Sequence, residues 1–293
     1  MDAVKIAPGF EKIMPQEYQD LVNDGPYGRN LSVKDLGTFK ELIDEHPLCA
    51  GCTLTLSLRI VLASLPNPEN TLIVTCAGCF GVIHPQISLH CTIAPFGTHN
   101  AFASGLKRAL KVKFPNKNKD VISMAGDGGF ADIGLSPTFH SWVRGERLTS
   151  IMIDNECYAN TGGQDSGMTP EGVVLNMSPL GKNFPKIEFA ELAKLAGCAY
   201  VATATPTNPR LLGQMVRRAI LVSREVGPTV IRIATVCQTN YKLSPIEGYN
   251  KAKSFESQTF EYFTKEAQKY IESIEKKSPK TELNLEVGVE NED

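Results

Sequence analysis

An acid and an amide at two strand ends, with eight cysteines spread through the chain, are the residues whose types and spacing could do chemistry. Asp127 stands in Gly126-Asp127-Gly128, directly after the apolar run 121–125. Asn155 follows a second apolar run, 150–153, in Asp154-Asn155. Glycine turns after strands let backbone N–H groups approach phosphate oxygens. Asp127 and Asn155 offer the hard oxygen ligands that Mg²⁺ takes. Together they read as a site for a metal-bound phosphate. A lone Gly-Asp-Gly is also what an ordinary strand–helix turn with an aspartate cap looks like. The second strand end is what tips the reading towards function.

The cysteines fall into a pattern. Cys49-Ala50-Gly51-Cys52 precedes a helix-like segment, and Cys76-Ala77-Gly78-Cys79 ends a strand-like one. Two CxxC pairs read on their own as a structural zinc site. The interval between them is long for that pattern, however, and zinc would leave Cys237 unused. Cys237 closes the strand-like run that begins at Thr229. In a parallel sheet the C-terminal strand ends gather on one edge, where ligands bind. Cys79, Asp127, Asn155 and Cys237 would share that edge. An iron–sulfur cluster takes four thiolates, which Cys49, Cys52, Cys79 and Cys237 could supply. Strand alternation would turn Cys76 to the opposite face. Cys91, Cys157 and Cys198 read as small buried or loop residues without a redox role. The five histidines show no ligand spacing, with His46 and His99 the two of interest, and Trp142 reads as helix-face core.

Elements able to position these residues follow from periodicity. Helical spacing covers 53–65, 99–114, 133–143, 187–196, 209–225 and 255–274, and short apolar runs at 71–75, 121–125, 148–153, 200–204 and 229–236 read as strands. Alternation of the two kinds predicts an α/β fold, a mostly parallel sheet with helices on both faces. The stretch 156–186 carries glycines and prolines with little periodicity, as an active-site cover does. Residues 1–45 read as an irregular arm, with a short helix at 34–44. Residues 46–250 read as the ligand-binding domain, 251–275 as a C-terminal helix and 276–293 as a mobile polar tail.

Bulk properties exclude several classes. A hydrophobic share of 42% with 21% charged residues is ordinary for a globular chain. A net charge of −2 is not that of a nucleic-acid binder. No apolar run is long enough for a membrane span. The opening MDAVKIAPGFEKIMPQEYQD lacks the basic-then-apolar pattern of a secretion signal, so the expectation is a cytoplasmic protein. In a reducing compartment cysteines bind metal or do chemistry more often than they pair.

Taken together, His46-Pro47-Leu48-Cys49-Ala50-Gly51-Cys52, the Cys79 strand end, the Gly126–Asn155 pair and Tyr158-Ala159-Asn160-Thr161-Gly162-Gly163-Gln164 occur in an order that resembles the β subunits of 2-oxoacid:ferredoxin oxidoreductases, over roughly residues 45 to 240. The resemblance implies a thiamine diphosphate-binding fold. It implies that Asp127, Asn155 and the Cys157 carbonyl bind Mg²⁺, and that Gly126 and Gly128 close on the diphosphate. Asn160 and Thr161 would lie near the thiazolium and the 2-oxoacid. Cys49, Cys52, Cys79 and Cys237 would hold a [4Fe-4S] cluster. The implied reaction is oxidative decarboxylation, with pyruvate as the first expectation. Electrons would pass through the cluster to ferredoxin, and the acyl group to coenzyme A. The implied partners are an α subunit carrying the pyrimidine side, with its activating glutamate, and a ferredoxin-like subunit.

The chain departs from the family at Cys76-Ala77-Gly78-Cys79, where Ala-Thr-Gly-Cys is usual, and again at Phe80-Gly81-Val82. Branched-chain or aryl oxoacids, 2-oxoglutarate and oxalate therefore stay open as substrates. Two other readings use the same residues: a non-redox thiamine enzyme, and a zinc-stabilised subunit without catalytic activity.

Overall fold

The computed structural model describes residues 46–275, apart from residue 116. The arm 1–45, its helix at 34–44 and the tail 276–293 lie outside the described residues. In chain order the main elements are α1 (Thr53–Ala63), β1 (Thr71–Cys76), the short α2 (Cys79–Ile83), β2 (Cys91–Ala94), α3 (His99–Lys113), β3 (Asp120–Gly126), α4 (Leu135–Val143), β4 (Thr149–Asp154), α5 (Phe189–Leu195), β5 (Tyr200–Ala204), α6 (Pro209–Glu225), β6 (Thr229–Ala234), α7 (Pro245–Ser254), β7 (Phe260–Phe263) and α8 (Lys265–Glu275). Among the described residues, no helix is long and apolar enough to cross a membrane.

The strands form one sheet in the order β2-β1-β3-β4-β6-β5-β7. Every pairing is parallel except that of β7 with β5. The strands are apolar runs rather than alternating ones because both faces are covered. One face carries Ile73, Met124, Ile151, Ile153 and Ile233 against α1, α6 and α8. The other carries Cys76, Ala125, Met152 and Val230 with residues of α4 and α5, and Val74 and Val121 with residues of α3. Trp142 is fully in the second core, its indole N–H donating to Ser150 Oγ at 3.2 Å. The α/β expectation therefore holds, and the parallel C-terminal ends of β1, β3, β4 and β6 share one edge.

The expected helix over 255–274, and with it a purely helical 251–275, is not what forms. Residues Phe255–Gln258 make a 3₁₀ turn, Phe260–Phe263 is strand β7, and the helix starts only at Lys265. The edge of β5 would otherwise be bare, and an added strand satisfies its ladder. Phe263 packs on Tyr200 with ring centroids 4.7 Å apart, and Glu261 accepts from the Tyr200 hydroxyl at 2.6 Å. These tertiary contacts override the local helical spacing. Two helices and one strand were also not expected, namely α2, α7 and β2. α7 had a readable signal in Ser244-Pro245-Ile246-Glu247, a capping box with proline at the first helical position.

At the start of β3, Asp120 pairs with Arg224 of α6 at 2.6 Å, with both side chains largely buried. Removing one partner of a buried pair strands the other charge. Arg224→Ala is expected to cost about 3–5 kcal/mol of stability, read as a lower midpoint in chemical denaturation.

Candidate active site

The site is built where β3, β4 and β6 end. β3 runs out at Gly126, and the chain turns through Asp127 into a single π-helical turn, Gly128–Asp132, before α4. Such turns recur at functional sites. β4 ends in Asp154-Asn155, and the chain reverses sharply at Glu156 (φ 62°). The Asn155 Oδ1 accepts from the Cys157 backbone N–H at 3.3 Å, which fixes the turn. Residues 158–164 then form a small hairpin, in which the Tyr158 N–H donates to the Gln164 carbonyl at 2.9 Å.

These turns enclose a cavity of about 390 Å³ lined by Gly126, Asp127, Gly128, Asn155, Cys157, Tyr158, Asn160 and Thr161, with Leu54, Cys79 and Phe96 among its other walls. Every residue that the sequence singles out for the phosphate and substrate side borders it. Asn160 and Thr161 are exposed at its rim. Gly128 is dictated by packing, since a Cβ there would lie within 2.9 Å of atoms of the Tyr158 ring.

Asp127 is 1% exposed, and one of its oxygens accepts from the Ser166 hydroxyl. Burial, and then the charge of Asp154, hold its carboxyl well above the ordinary range. Asp154 behaves oppositely. Burial works against its charge, but Arg232 at 2.7 Å and Lys186 at 3.3 Å outweigh that and hold it below the ordinary range. One of the two adjacent acids is thus neutralised by the protein's own cations, while the other faces the cavity without such a pair among the described residues. Ser166 belongs to the loop 156–186 and went unnoticed in the sequence because nothing local ties it to Asp127. Lys182, also in that loop, is buried and donates to the Gly167 and Thr169 carbonyls at 2.9 and 2.7 Å, pinning the segment that carries Ser166.

A second cavity of about 510 Å³ adjoins the first. It is lined by Cys49, Cys52, Cys79 and Cys237, and shares Leu54, Cys79, Asn155, Ala159 and Asn160 with the first. Among the described residues, no group of His, Cys, Asp or Glu closes around a single ion. Instead, the four thiols stand around a common space. Burial, then the charges of Cys52, Cys237 and Cys49, push the Cys79 thiol up to about 12. Cys237 goes the other way, down to about 6, mainly because the Cys157 thiol hydrogen-bonds to it, helped by the backbone N–H groups of Asn240 and Thr239. Cys157, expected as a small buried residue whose carbonyl the resemblance turns to Mg²⁺, thus also brings its thiol beside the fourth cysteine. The Thr239 hydroxyl donates to Cys49 Sγ at 3.5 Å.

Cys76 is fully buried on the face opposite Cys79. The quartet of two CxxC pairs that a zinc site needs therefore does not assemble. His99 is buried beside Phe130 with neither ring nitrogen partnered among the described residues, and burial lowers it to about 4. It lines neither cavity.

The family model for the C-terminal TPP-binding domain of thiamine pyrophosphate enzymes matches residues 77–233, more than half of the chain. The pyruvate synthase subunit PorB of Methanothermobacter thermautotrophicus is 36% identical over 70% of this chain and 72% of its own length. The chain belongs to the β subunits of the 2-oxoacid:ferredoxin oxidoreductases. The 2-oxoglutarate synthase subunit KorB of Archaeoglobus fulgidus is 31% identical over 68% of this chain and 72% of its own length. In fold, the chain resembles a solved 2-oxoglutarate:ferredoxin oxidoreductase from Magnetococcus marinus, with a TM-score of 0.61, 21% identity and 72% of each chain covered. Membership makes this chain an oxidoreductase subunit acting on 2-oxoacids with ferredoxin as acceptor, carrying a thiamine diphosphate-binding domain and working within a multi-subunit complex.

The cavity gives a direct expectation. Gly128→Ala must push the Tyr158 ring into the space it lines, weakening thiamine diphosphate binding by tenfold or more in calorimetric titration. Gly105→Ala, on α3 with open space around it, should leave binding unchanged.

Proposed function

We propose that this chain holds both thiamine diphosphate with Mg²⁺ and a [4Fe-4S] cluster, and that its complex oxidatively decarboxylates a 2-oxoacid, pyruvate first, passing electrons to ferredoxin and the acyl group to coenzyme A. One observation carries the reading. The cavity containing Asp127 and Asn155 and the cavity containing the four thiols share a wall, so a cofactor in one and a cluster in the other would be close neighbours.

The residues fit the groups. Asp127 is a buried carboxyl held from ionising by burial and a neighbouring acid, the condition a divalent cation relieves. Asn155 and the Cys157 carbonyl would complete the protein ligands, and the Gly126-Asp127-Gly128 turn would close on the diphosphate. Burial, and then the charges of neighbouring thiols, raise Cys52 and Cys79, a condition that a ferric–ferrous core would relieve. When bound, thiamine diphosphate supplies the electron sink for loss of CO₂, and the cluster a one-electron acceptor. The chain's own residues orient and shield. Tyr158 and Phe96 wall the cavity against water, Asp127 and Asn155 fix the diphosphate, and Asn160 and Thr161 present polar groups to the 2-oxoacid at the rim. That rim is open to solvent, where an α subunit would bring the pyrimidine side and its glutamate. A ferredoxin-like subunit would receive the electrons at the thiol side.

The fourfold cysteine set is what separates this reading from a non-redox thiamine enzyme, which has no use for it. The relatives named for pyruvate and for 2-oxoglutarate make pyruvate the first substrate to test, with 2-oxoglutarate, branched-chain and aryl oxoacids and oxalate beside it. The assembled complex should be brown, and its visible absorbance should bleach with its own substrate from that panel. Absence of bleaching with every oxoacid would overturn the redox assignment. Cys237→Ser should lose iron by elemental analysis while Cys76→Ser retains it; the reverse would return the zinc reading.

Asp127 also sets a pH dependence. Its folded carboxyl lies above its unfolded value. Its contribution to metal-free stability is therefore full below the ordinary carboxylate range, and is lost as pH rises towards the folded value. Mg²⁺ binds only the ionised form. The stabilisation on adding Mg²⁺ and thiamine diphosphate, read as a rise in melting temperature, should grow with pH across that window, towards about 2.7 kcal/mol at a hundredfold excess over Kd. Asp127→Asn should flatten it, in thermal melts with and without the metal.

A further inference from the structure

Asn240 is 5% exposed and sits three residues after Cys237, outside every motif of the sequence. Its amide is fully engaged. Nδ2 donates to Cys237 Sγ at 3.2 Å and to the Ala159 carbonyl at 3.3 Å, and lies 3.9 Å from Cys157 Sγ. Oδ1 accepts from Asn176 Nδ2 at 2.9 Å. The partners fix which end is which, because a reversed amide would set its oxygen against the Ala159 carbonyl and its nitrogen against another amide nitrogen. The hairpin is shaped around it, since a Cβ on Gly163 (φ 89°) would fall on the Asn240 side chain. Asn240 therefore touches three things at once: the sulfur of the fourth cysteine, the backbone just before Asn160 and Thr161, and, through Asn176, the loop 156–186.

We infer that Asn240 is a positioning residue that tunes the cluster, its side-chain N–H bonding to the Cys237 sulfur and raising the reduction potential, while the same amide holds the hairpin of Asn160 and Thr161 against the cluster wall. The inference rests on the cluster reading above. On reduction the cluster gains one electron, drawn from the 2-oxoacid in turnover, and negative charge accumulates on its sulfurs. A hydrogen bond to sulfur is stronger in that state, so it favours reduction. The backbone N–H groups of Thr239 and Asn240 also face Cys237 and are untouched by a side-chain change, so the amide's share is separable. Asn176 acts one step further out, by orienting the amide.

The test is a mediated redox titration of the assembled complex followed by electron paramagnetic resonance, reading the component that Cys237→Ser removes. Asn240→Leu, similar in size but without a donor, should keep its iron. At the wild-type midpoint its reduced-to-oxidised ratio should be about tenfold lower, about 59 mV for a one-electron couple. Asn176→Ala leaves Asn240 and every cysteine in place. It should shift the ratio the same way by about threefold, and it decides the matter should Asn240→Leu lose iron. An unchanged or higher midpoint in an iron-replete variant overturns the role given to Asn240 and leaves the cluster standing. A wild-type complex without iron overturns the cluster reading itself.

Discussion

The site depends on one piece of backbone pairing. β4 and β6 are parallel neighbours from Thr149↔Thr229 to Asp154↔Ala234, and the pairing does not stop where the strands do. The Thr235 N–H donates to the Asp154 carbonyl at 2.7 Å, and the Cys237 N–H to the Asn155 carbonyl at 3.3 Å. A single hydrogen bond thus joins Asn155, on the phosphate side, to Cys237, on the thiol side. The same segment is clamped to the start of α1, where Thr53 Oγ1 exchanges hydrogen bonds with the backbone of Val236 at 3.3 and 3.4 Å and Gln238 donates to the Ala50 carbonyl. Cys49 and Cys52 flank that contact. Residues far apart in the chain reach one wall because the ends of a parallel sheet are adjacent by construction.

Electrostatics divides the labour around that wall. Asp127 and Asp154 end neighbouring strands, and both are buried. Two uncompensated acids so placed would oppose each other. Arg232, Lys186 and a backbone N–H from Glu156 take up the charge of Asp154, on the α5 side of the sheet. Lys186 also pairs with Glu156 at 3.0 Å, which helps hold the sharp turn after Asn155. Asp127 receives the Ser166 hydroxyl but, among the described residues, no cation, and its charge is left for something bound in the cavity. The thiol side follows the same logic, with the thiolates of Cys52 and Cys79 disfavoured by burial and by their neighbours and Cys237 supplied with donors.

Much of this was legible before folding. The five central strands and the helices 53–65, 99–114 and 209–225 are apolar patterns whose period declares them. Asp127, Asn155, Cys79 and Cys237 follow strand ends, so their sharing an edge follows once the sheet is parallel. Cys76 illustrates how far that reasoning reaches: its face is the expected one, opposite Cys79, although β1 ends at Cys76 and Cys79 opens α2 rather than continuing the strand. The 255–274 stretch shows where it fails. Its spacing is helical, yet Phe260–Phe263 is a strand, because the value of an edge strand lies in the neighbour it pairs with.

By itself, then, the sequence determined the period of each element, the parallel class of the sheet and the residue types at its ligand edge, since these depend on local pattern and chain direction. Only the tertiary structure decided which distant loops lie over that edge. Ser166 beneath Asp127, Tyr158 against Gly128, the thiol of Cys157 beside Cys237 and the amide of Asn240 between them are contacts made by segments without period. Their positions are set by packing against the finished sheet, and no spacing within the chain encodes that.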